Sequence, residues 1–304
     1  MVIPIITGPT GVGKTATSIE LYNEYNIEII SADAFQVYKY MDIGTSKPDR
    51  RVLDSVPHHL IDILDPHEHY SAALFVEHSQ KLIEKILNKG KLPLIVGGTA
   101  LYIDRLVKGI FNDLIVDYDI RSKISMEGLE KGYDSLYNKL LDVDSSYASK
   151  ISKNDHVRII RALEVYEKFK KPYSTVIGEY HKNPKYKYKV FFLQKNREEI
   201  YKIVEKRIDE MFNIGWLEEV KSLLEMGCSL TYHSFKAIGY QEIVELVNGK
   251  FSLEEAINRI KKRTRNFVKR QFTFFKKLDY VENIFDKILI DNFFKIYYKD
   301  YYRY

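Results

Sequence analysis

The stretch "GPTGVGKT", residues 8–15, comes directly after the apolar run "VIPIIT". Its spacing, Gly8-x4-Gly13-Lys14-Thr15, admits few folds. A loop that wraps a di- or triphosphate needs a strand to deliver it and a helix to receive it. Its glycines turn backbone N–H groups inward, its lysine reaches the outer phosphates, and its hydroxyl can ligate magnesium. The expected diphosphate-binding residues are therefore Gly8, Pro9, Thr10, Gly11, Val12, Gly13, Lys14 and Thr15, with Thr15 also the expected Mg2+ ligand. The loop alone does not say whose phosphates these are, or whether they are transferred, hydrolysed or expelled.

The flanking sequence predicts an α/β fold, a P-loop NTPase-like parallel sheet flanked by helices. "VIPIIT" reads as a strand, with Pro4 expected near its start because proline cannot donate to a ladder. A helix over 14–25 comes next, then the strands "IEIISAD" and "LPLIVGG", the latter with Pro93 at its entrance, and a helix over 79–89 between them. From 117 to 185 strands are hard to find, and "RSKISMEGLEKGYDSLYNKLLDVD" and "NDHVRIIRALEVYEKF" carry helical periodicity. "KYKVFFL" restores strand character, and long amphipathic helices then run to Gly227, a C-terminal cap. The expected organisation is a core over 1–116, a mainly helical insertion over 117–185, and the rest of the core over 186–304. The closing "NFFKIYYKDYYRY" is too aromatic for a disordered tail and suggests no function.

The single cysteine, Cys228, excludes an internal disulfide and a zinc site built from several thiolates. No stretch of about twenty uninterrupted apolar residues offers a membrane span, and the first residues lack the pattern of a secretory signal. No membrane partner and a cytoplasmic address are the expectation. Five of the eight histidines fall between His58 and His78, without the His-x-x-x-His spacing common in zinc sites. Polar packing beneath the active-site loops is the expected role.

Ligands of open parallel sheets bind beyond the carboxyl ends of the strands, so the residues just past each strand carry the chemistry. Asp33, in "SADAFQVY", can ligand magnesium through water or take a proton from an acceptor; equally, it can cap its own loop. Gly97 and Gly98 permit close backbone approach, and Thr99 offers a hydroxyl to a phosphate oxygen. This third strand ends without the acidic residue typical of motor-like ATPases. Asp62 and Asp65 in "HLIDILD" come after an apolar run broken by Pro57, His58 and His59. Group transfer is favoured over energy coupling.

Net charge is only +5, yet residues 259–277 hold nine Lys or Arg and no Asp or Glu. Ile260, Thr264, Phe267, Val268, Gln271, Phe272 and Phe275 recur among them at helical spacing. Solvated helix faces mix both signs, because opposite charges three or four apart stabilise the helix. A face of one sign favours a phosphate-backbone partner.

The segments "GPTGVGKT", "SADAFQVYKYMDIGTSKP", "PHHLIDILDP", "LIVGGTALYI", "NDHVRIIRALEVY", "KAIGYQEI" and "TRNFVKRQFTFF" stand in the order and spacing of tRNA dimethylallyltransferases, which the chain resembles from its first strand to about Lys276. The resemblance implies transfer of a dimethylallyl group from dimethylallyl diphosphate to the exocyclic amine of adenosine 37. That adenosine lies 3′ of the anticodon in tRNAs reading codons that begin with U. The loop would then hold a departing pyrophosphate, with Mg2+ as cofactor and a monomer as the working form. By position, Asp33 matches the general base, Gln36 (beside Ala34 and Phe35) a residue touching the target adenine, and Thr99 and Arg121 stabilisers of the transition state. Contacts to the tRNA anticodon stem-loop are implied for Val157, Arg158 and Arg161, for Lys236, Gly239 and Tyr240, and for Lys269, Arg270, Gln271 and Lys276. Ala34, Ala100 and Phe274 depart from the Ser, Gly and Trp common in the family, which touches details of substrate contact.

Two other readings stay open on the residues. A P-loop kinase of a nucleoside or small metabolite explains the first hundred residues but not the basic helix or the later motifs. A nucleotide-gated RNA-binding protein explains the helix but leaves Asp33 and Thr99 idle.

Overall fold

Strand β1 (Val2–Thr7) buries Ile3, Ile5 and Ile6 and ends at the glycine loop; the computed structural model describes residues 1–111, 116–179 and 181–303. Next come α1 (Lys14–Glu24), β2 (Ile27–Ser31), α2 (Arg50–Ser55), β3 (His58–His59), α3 (Ala72–Asn88), β4 (Leu92–Gly97) and α4 (Ala100–Lys108). The middle of the chain holds β5 (Ile110–Phe111), α5 (Tyr118–Lys131), α6 (Tyr133–Val143), α7 (Ser145–Ala148), α8 (His156–Phe169), α9 (Tyr173–Glu179) and β6 (His181–Lys182). The remainder forms β7 (Lys187–Leu193), α10 (Arg197–Asn213), α11 (Trp216–Glu225), α12 (Tyr240–Val247), α13 (Leu253–Phe275), β8 (Val281–Ile284) and α14 (Ile288–Tyr297).

Two compact units result. One joins Met1–Val107 to Lys185–Tyr304; the other is Lys108–Pro184. The second begins earlier than the change of sequence texture at 117, because β5 pairs antiparallel with β6 and ties the two ends of this segment together. Its core gathers Ile124, Leu136, Leu140, Ile159 and Leu163 from α5, α6 and α8.

The first unit carries a six-stranded sheet in the order β3-β2-β4-β1-β7-β8, parallel throughout. Strands covered on both faces read as continuous apolar runs, and β2 and β4 are buried along their whole length. Pro4 lies third in a central strand rather than at its start. Pairing of β1 with β4 begins only at Ile5, so the missing donor falls before that ladder opens.

Two features were not visible in the sequence pattern. His58–His59 forms a short edge strand beside β2, too brief to show periodicity. The histidines also serve other places than the active-site loops: His59 Nε2 meets Glu28 at 2.8 Å near the entry of β2, and His78 Nδ1 lies 3.2 Å from the Tyr70 hydroxyl. The tyrosine-rich tail closes against the sheet's entry. The Asn26 amide donates to the Tyr301 carbonyl at 2.6 Å, the Arg303 amide donates to the Glu24 carbonyl at 2.8 Å, and the Tyr298 hydroxyl donates to the Val2 carbonyl. All these contacts lie at the end of the sheet opposite the glycine loop.

Candidate active site

The loop between β1 and α1 folds as its glycines require. Gly11 and Gly13 take φ of 83° and 108°, where a side chain would be strained. Helix α1 starts after Gly13 with no side-chain cap, which leaves first-turn N–H groups available to an anion. Lys14 Nζ donates to the carbonyls of Gly8 at 3.0 Å and Pro9 at 2.9 Å. Burial lowers its pKa to about 8; Asp33 opposes that shift and Arg207 reinforces it. Both charges are therefore neighbours of the lysine.

The turn after β2 meets the turn after β4. Gly97 is obligatory there, since a Cβ would lie 2.2 Å from the Ala32 carbonyl oxygen. The Ala34 amide donates to Thr99 Oγ1 at 3.0 Å, which orients the hydroxyl and leaves its proton free to donate. Asp33 Oδ1 accepts the amides of Phe35 at 2.9 Å and Gln36 at 3.3 Å. Asp33 therefore caps its loop with one oxygen, and the other has no hydrogen bond among the described residues. Burial raises the Asp33 pKa, opposed by those two amides and by Lys14.

Gln36 is fixed at both ends of its amide. Nε2 donates to the carbonyls of Thr45 at 3.3 Å and Ser46 at 3.2 Å, and Oε1 accepts from Ser31 Oγ at 3.1 Å. A carbonyl oxygen with one lone pair to spare suits an exocyclic amine. The Thr15 hydroxyl and the second oxygen of Asp33 have no hydrogen bond among the described residues. Hard oxygens of this kind fit a small divalent cation.

The basic helix differs from its expected form. Arg259 pairs with Glu255 at 2.8 Å and Lys261 with Asp209 at 2.7 Å, while Arg263 pairs with Glu242 and Arg265 with Glu205. The carboxylates that the segment itself lacks are supplied by the preceding turn and by α10 and α12, so charge repulsion in this half is already relieved. Lys269, Arg270, Lys276 and Lys277 are exposed and have no carboxylate partner among the described residues. Lys262 is likewise exposed and unpaired among the described residues, and the rest of the surplus charge lies in the last turns of α13 and just beyond it.

Three residues expected to touch tRNA are buried. Gln271 is 3% exposed, with Oε1 accepting the Thr10 amide at 3.1 Å and Nε2 donating to the Gly98 carbonyl at 2.9 Å. It braces the glycine loop against the turn after β4. Tyr240 is fully buried and Gly239 is packed against the Trp216 ring. Lys236, by contrast, is exposed.

In the second unit, Val157 and Arg158 are exposed at the start of α8. Arg121 donates from Nε at 2.8 Å and pairs through Nη2 at 2.7 Å with Oε2 of Glu164; Arg161 pairs with the other oxygen, which also accepts the Asp117 amide at 2.9 Å. Glu164 is the buried anchor for both arginines.

Sequence reading passed over Arg207, Glu164 and Glu219. Each lies within an amphipathic helix among other charged residues, where nothing in the spacing separates a site residue from a solvated one.

The model of the IPP transferase family matches residues 36–278. The chain is 43% identical over 279 residues to the tRNA dimethylallyltransferase of Acetivibrio thermocellus, covering 91% of this chain and 89% of that one. It is 46% identical over 278 residues to the tRNA dimethylallyltransferase of Carboxydothermus hydrogenoformans, covering 90% and 88%. Among solved structures, the tRNA isopentenylpyrophosphate transferase of Bacillus halodurans superposes with a TM-score of 0.70 at 35% identity, covering 97% of this chain and 95% of that one. A eukaryotic dimethylallyltransferase acting on tRNA gives 0.77 at 28% identity, covering 98% and 77%.

Proposed function

This chain belongs to the IPP transferase family, and from that premise we propose that it transfers a dimethylallyl group from dimethylallyl diphosphate to the N6 amine of adenosine 37 in tRNAs reading codons that begin with U. The products are N6-dimethylallyladenosine and diphosphate. The reading rests on one arrangement: a half-buried carboxylate, Asp33, electrostatically coupled to the lysine of a phosphate loop and one turn away from a fixed amide, Gln36.

An aromatic amine is a weak nucleophile, whereas an allylic diphosphate ionises once its leaving group is neutralised. The loop amides and Lys14 take up the charge that grows on the diphosphate oxygen as the carbon–oxygen bond breaks. Thr99 donates its free hydroxyl proton to the same group. By its match to the family, Arg121, oriented by Glu164, is the residue that would supply a further cation. Thr15 and the second oxygen of Asp33 would hold Mg2+, which would supply electrostatic neutralisation of the leaving diphosphate. As the nitrogen lone pair bonds to the allylic carbon, the second oxygen of Asp33 accepts the N6 proton.

The adenine must leave its stack to arrive, at a cost of a few kcal/mol. Lys236, Lys269, Arg270 and Lys276 offset that cost by gripping the anticodon stem-loop through its phosphates; Val157, Arg158 and Arg161 match tRNA-contacting positions of the family. No helix among the described residues is long and apolar enough to cross a membrane, and a cytoplasmic monomer suffices for this chemistry. The test is incubation with labelled dimethylallyl diphosphate, magnesium and unmodified tRNA. Label in the RNA is expected; ATP consumption on a small acceptor, with unlabelled RNA, would replace this reading with a kinase.

A further inference from the structure

The loop over 41–46 is held by a carboxylate from a distant part of the chain. Oε2 of Glu219, on α11, accepts the amides of Asp42 at 2.7 Å and Ile43 at 2.6 Å; Oε1 accepts the Gly44 amide at 3.2 Å and the Tyr240 hydroxyl at 2.7 Å. Three successive backbone N–H groups converging on one anion form a nest, a concavity that carries positive potential until a negative group fills it. Here the protein fills its own nest.

The loop has reason to need a clamp. Tyr40 and Ser46, on either side of the clamped amides, take φ of 66° and 53°, a region in which non-glycine residues are uncommon. Gly44 lies so close to Trp216 that a Cβ would stand 2.1 Å from the indole nitrogen, and the ring's opposite edge meets Gly239 just as closely. One helix turn, Trp216 to Glu219, thus touches both the loop and the segment leading into Tyr240. At the loop's far end Lys47, whose side chain is 3% exposed, donates to the Tyr38 carbonyl at 2.5 Å and pairs with Asp42 at 2.6 Å and with Asp62.

The clamped segment ends on the two carbonyls that bind Gln36. Thr45 and Ser46 come directly after Gly44, and their oxygens are the acceptors for Gln36 Nε2. The Thr45 hydroxyl donates back to the Met41 carbonyl at 2.5 Å, so 41–45 moves as one piece. A shift at Glu219 therefore reaches the Gln36 amide through backbone, without crossing the phosphate loop.

We propose that Glu219 is a positioning residue that sets the Gln36 amide for the incoming adenine, acting through the loop over 41–46 and not through the diphosphate cradle. This rests on the prenyl-transfer reading, because Gln36 matters only if a nucleobase arrives there. Removing the carboxylate releases three amides and one hydroxyl, and the loop relaxes from its left-handed residues. Gln36 then loses its fixed acceptors and the adenine is presented in many poses.

The test uses the full chain, Glu219→Gln as the isosteric neutral variant, Glu219→Ala, Gln36→Ala, and the Glu219→Gln/Gln36→Ala double variant. Steady-state prenylation of unmodified tRNA gives kcat and KM, and calorimetry with inorganic pyrophosphate and magnesium reports the cradle. We expect kcat/KM for tRNA to fall about tenfold or more in Glu219→Gln, with pyrophosphate affinity within about twofold of the wild type. The double variant should be no worse than Gln36→Ala, the non-additivity of two residues on one path. Fully additive losses, or a matching loss of pyrophosphate affinity, would overturn the inference while leaving the prenyl-transfer reading intact. A wild-type chain that leaves tRNA unlabelled overturns that reading and the inference with it. Should Glu219→Ala fail to fold, Glu219→Gln decides alone, its fold checked by an unchanged pyrophosphate isotherm.

Discussion

Gln271 accepts the Thr10 amide of the phosphate loop at 3.1 Å, and with its other end holds the Gly98 carbonyl at 2.9 Å. One side chain of α13 thereby sets the spacing between the loop after β1 and the turn after β4. Gln271→Ala is expected to weaken pyrophosphate binding about tenfold and to cost roughly 1–3 kcal/mol of stability, the penalty for orphaning two buried polar groups. Calorimetry and urea denaturation read these two effects. Affinity for tRNA should stay within about twofold of the wild type; a larger loss of tRNA affinity with pyrophosphate binding intact would return Gln271 to the RNA footprint.

Asp33 uses Oδ1 to cap its loop, which separates two effects that alanine would merge. Asp33→Asn keeps that acceptor and removes the base. Turnover should drop about a hundredfold or more with tRNA affinity nearly intact. Asp33→Ala should in addition raise KM for tRNA, because Gln36 loses its cap. Because burial raises the Asp33 pKa, the acid limb of kcat should lie above the ordinary aspartate value of about 3.9. Full turnover in Asp33→Asn would remove this side chain from proton transfer.

Lys14 is the reverse case, a cation discouraged by burial to a pKa of about 8. Pyrophosphate binding favours the charged amine, so affinity should fall as pH rises through about 8, approaching tenfold per unit beyond it. Between pH 8 and 9 binding should take up a proton, visible as a calorimetric enthalpy that depends on the buffer. For stability the sign is opposite: above about 8 the unfolded chain holds more protons than the folded one, so neutralising Lys14 stabilises the fold. Affinity flat from pH 7 to about 9.5 would show the lysine charged throughout.

The legible part of the site has one pattern. Gly13, Lys14, Asp33 and Thr99 stand on short turns whose residue types and spacing the chemistry dictates, and the sheet brings those turns together as expected. Struts are another matter. Gln271 falls in the recurring row of α13 with Val268 and Phe275 and is indeed buried there, but nothing in that row tells a brace from a residue touching RNA. Glu219 lies next to Glu218 on an ordinary amphipathic helix, and only the fold shows that its carboxylate meets amides far away in the chain. Charge count misled for the same reason, since partners of Arg263 and Arg265 come from other helices. Local patterns record what a residue must be; long-range pairing records what it meets.

Ion-paired Arg263 and Arg265 and unpaired Lys269 and Arg270 give a comparison within one helix. Replacing Lys269 and Arg270 by alanine should weaken tRNA binding and reduce its salt slope by about one unit per lost phosphate contact. Replacing Arg263 and Arg265 should leave the slope nearly as it was, since their charges already face Glu242 and Glu205. Filter binding between about 50 and 200 mM salt is sufficient. Equal slope changes in both pairs would mean that the ion pairs open to receive RNA.

Glu28 lies far from this chemistry and governs acid stability instead. It is 2% exposed in β2, and burial alone would raise its pKa; hydrogen bonds from Lys91, His59 and Lys89 outweigh that and lower it to about 2. A depressed carboxyl contributes stability that is complete above its unfolded pKa, near 4.3, and is lost as pH falls through the folded value. The contribution at neutral pH is roughly 3 kcal/mol. Glu28→Gln should therefore be less stable than the wild type by about that amount at neutral pH. The gap should narrow below about pH 4 and nearly close toward pH 2, as the wild type protonates. Urea midpoints of both proteins across this range measure the gap directly. A gap that stays constant with pH would assign the loss to packing and hydrogen-bond geometry, with Glu28 contributing no charge.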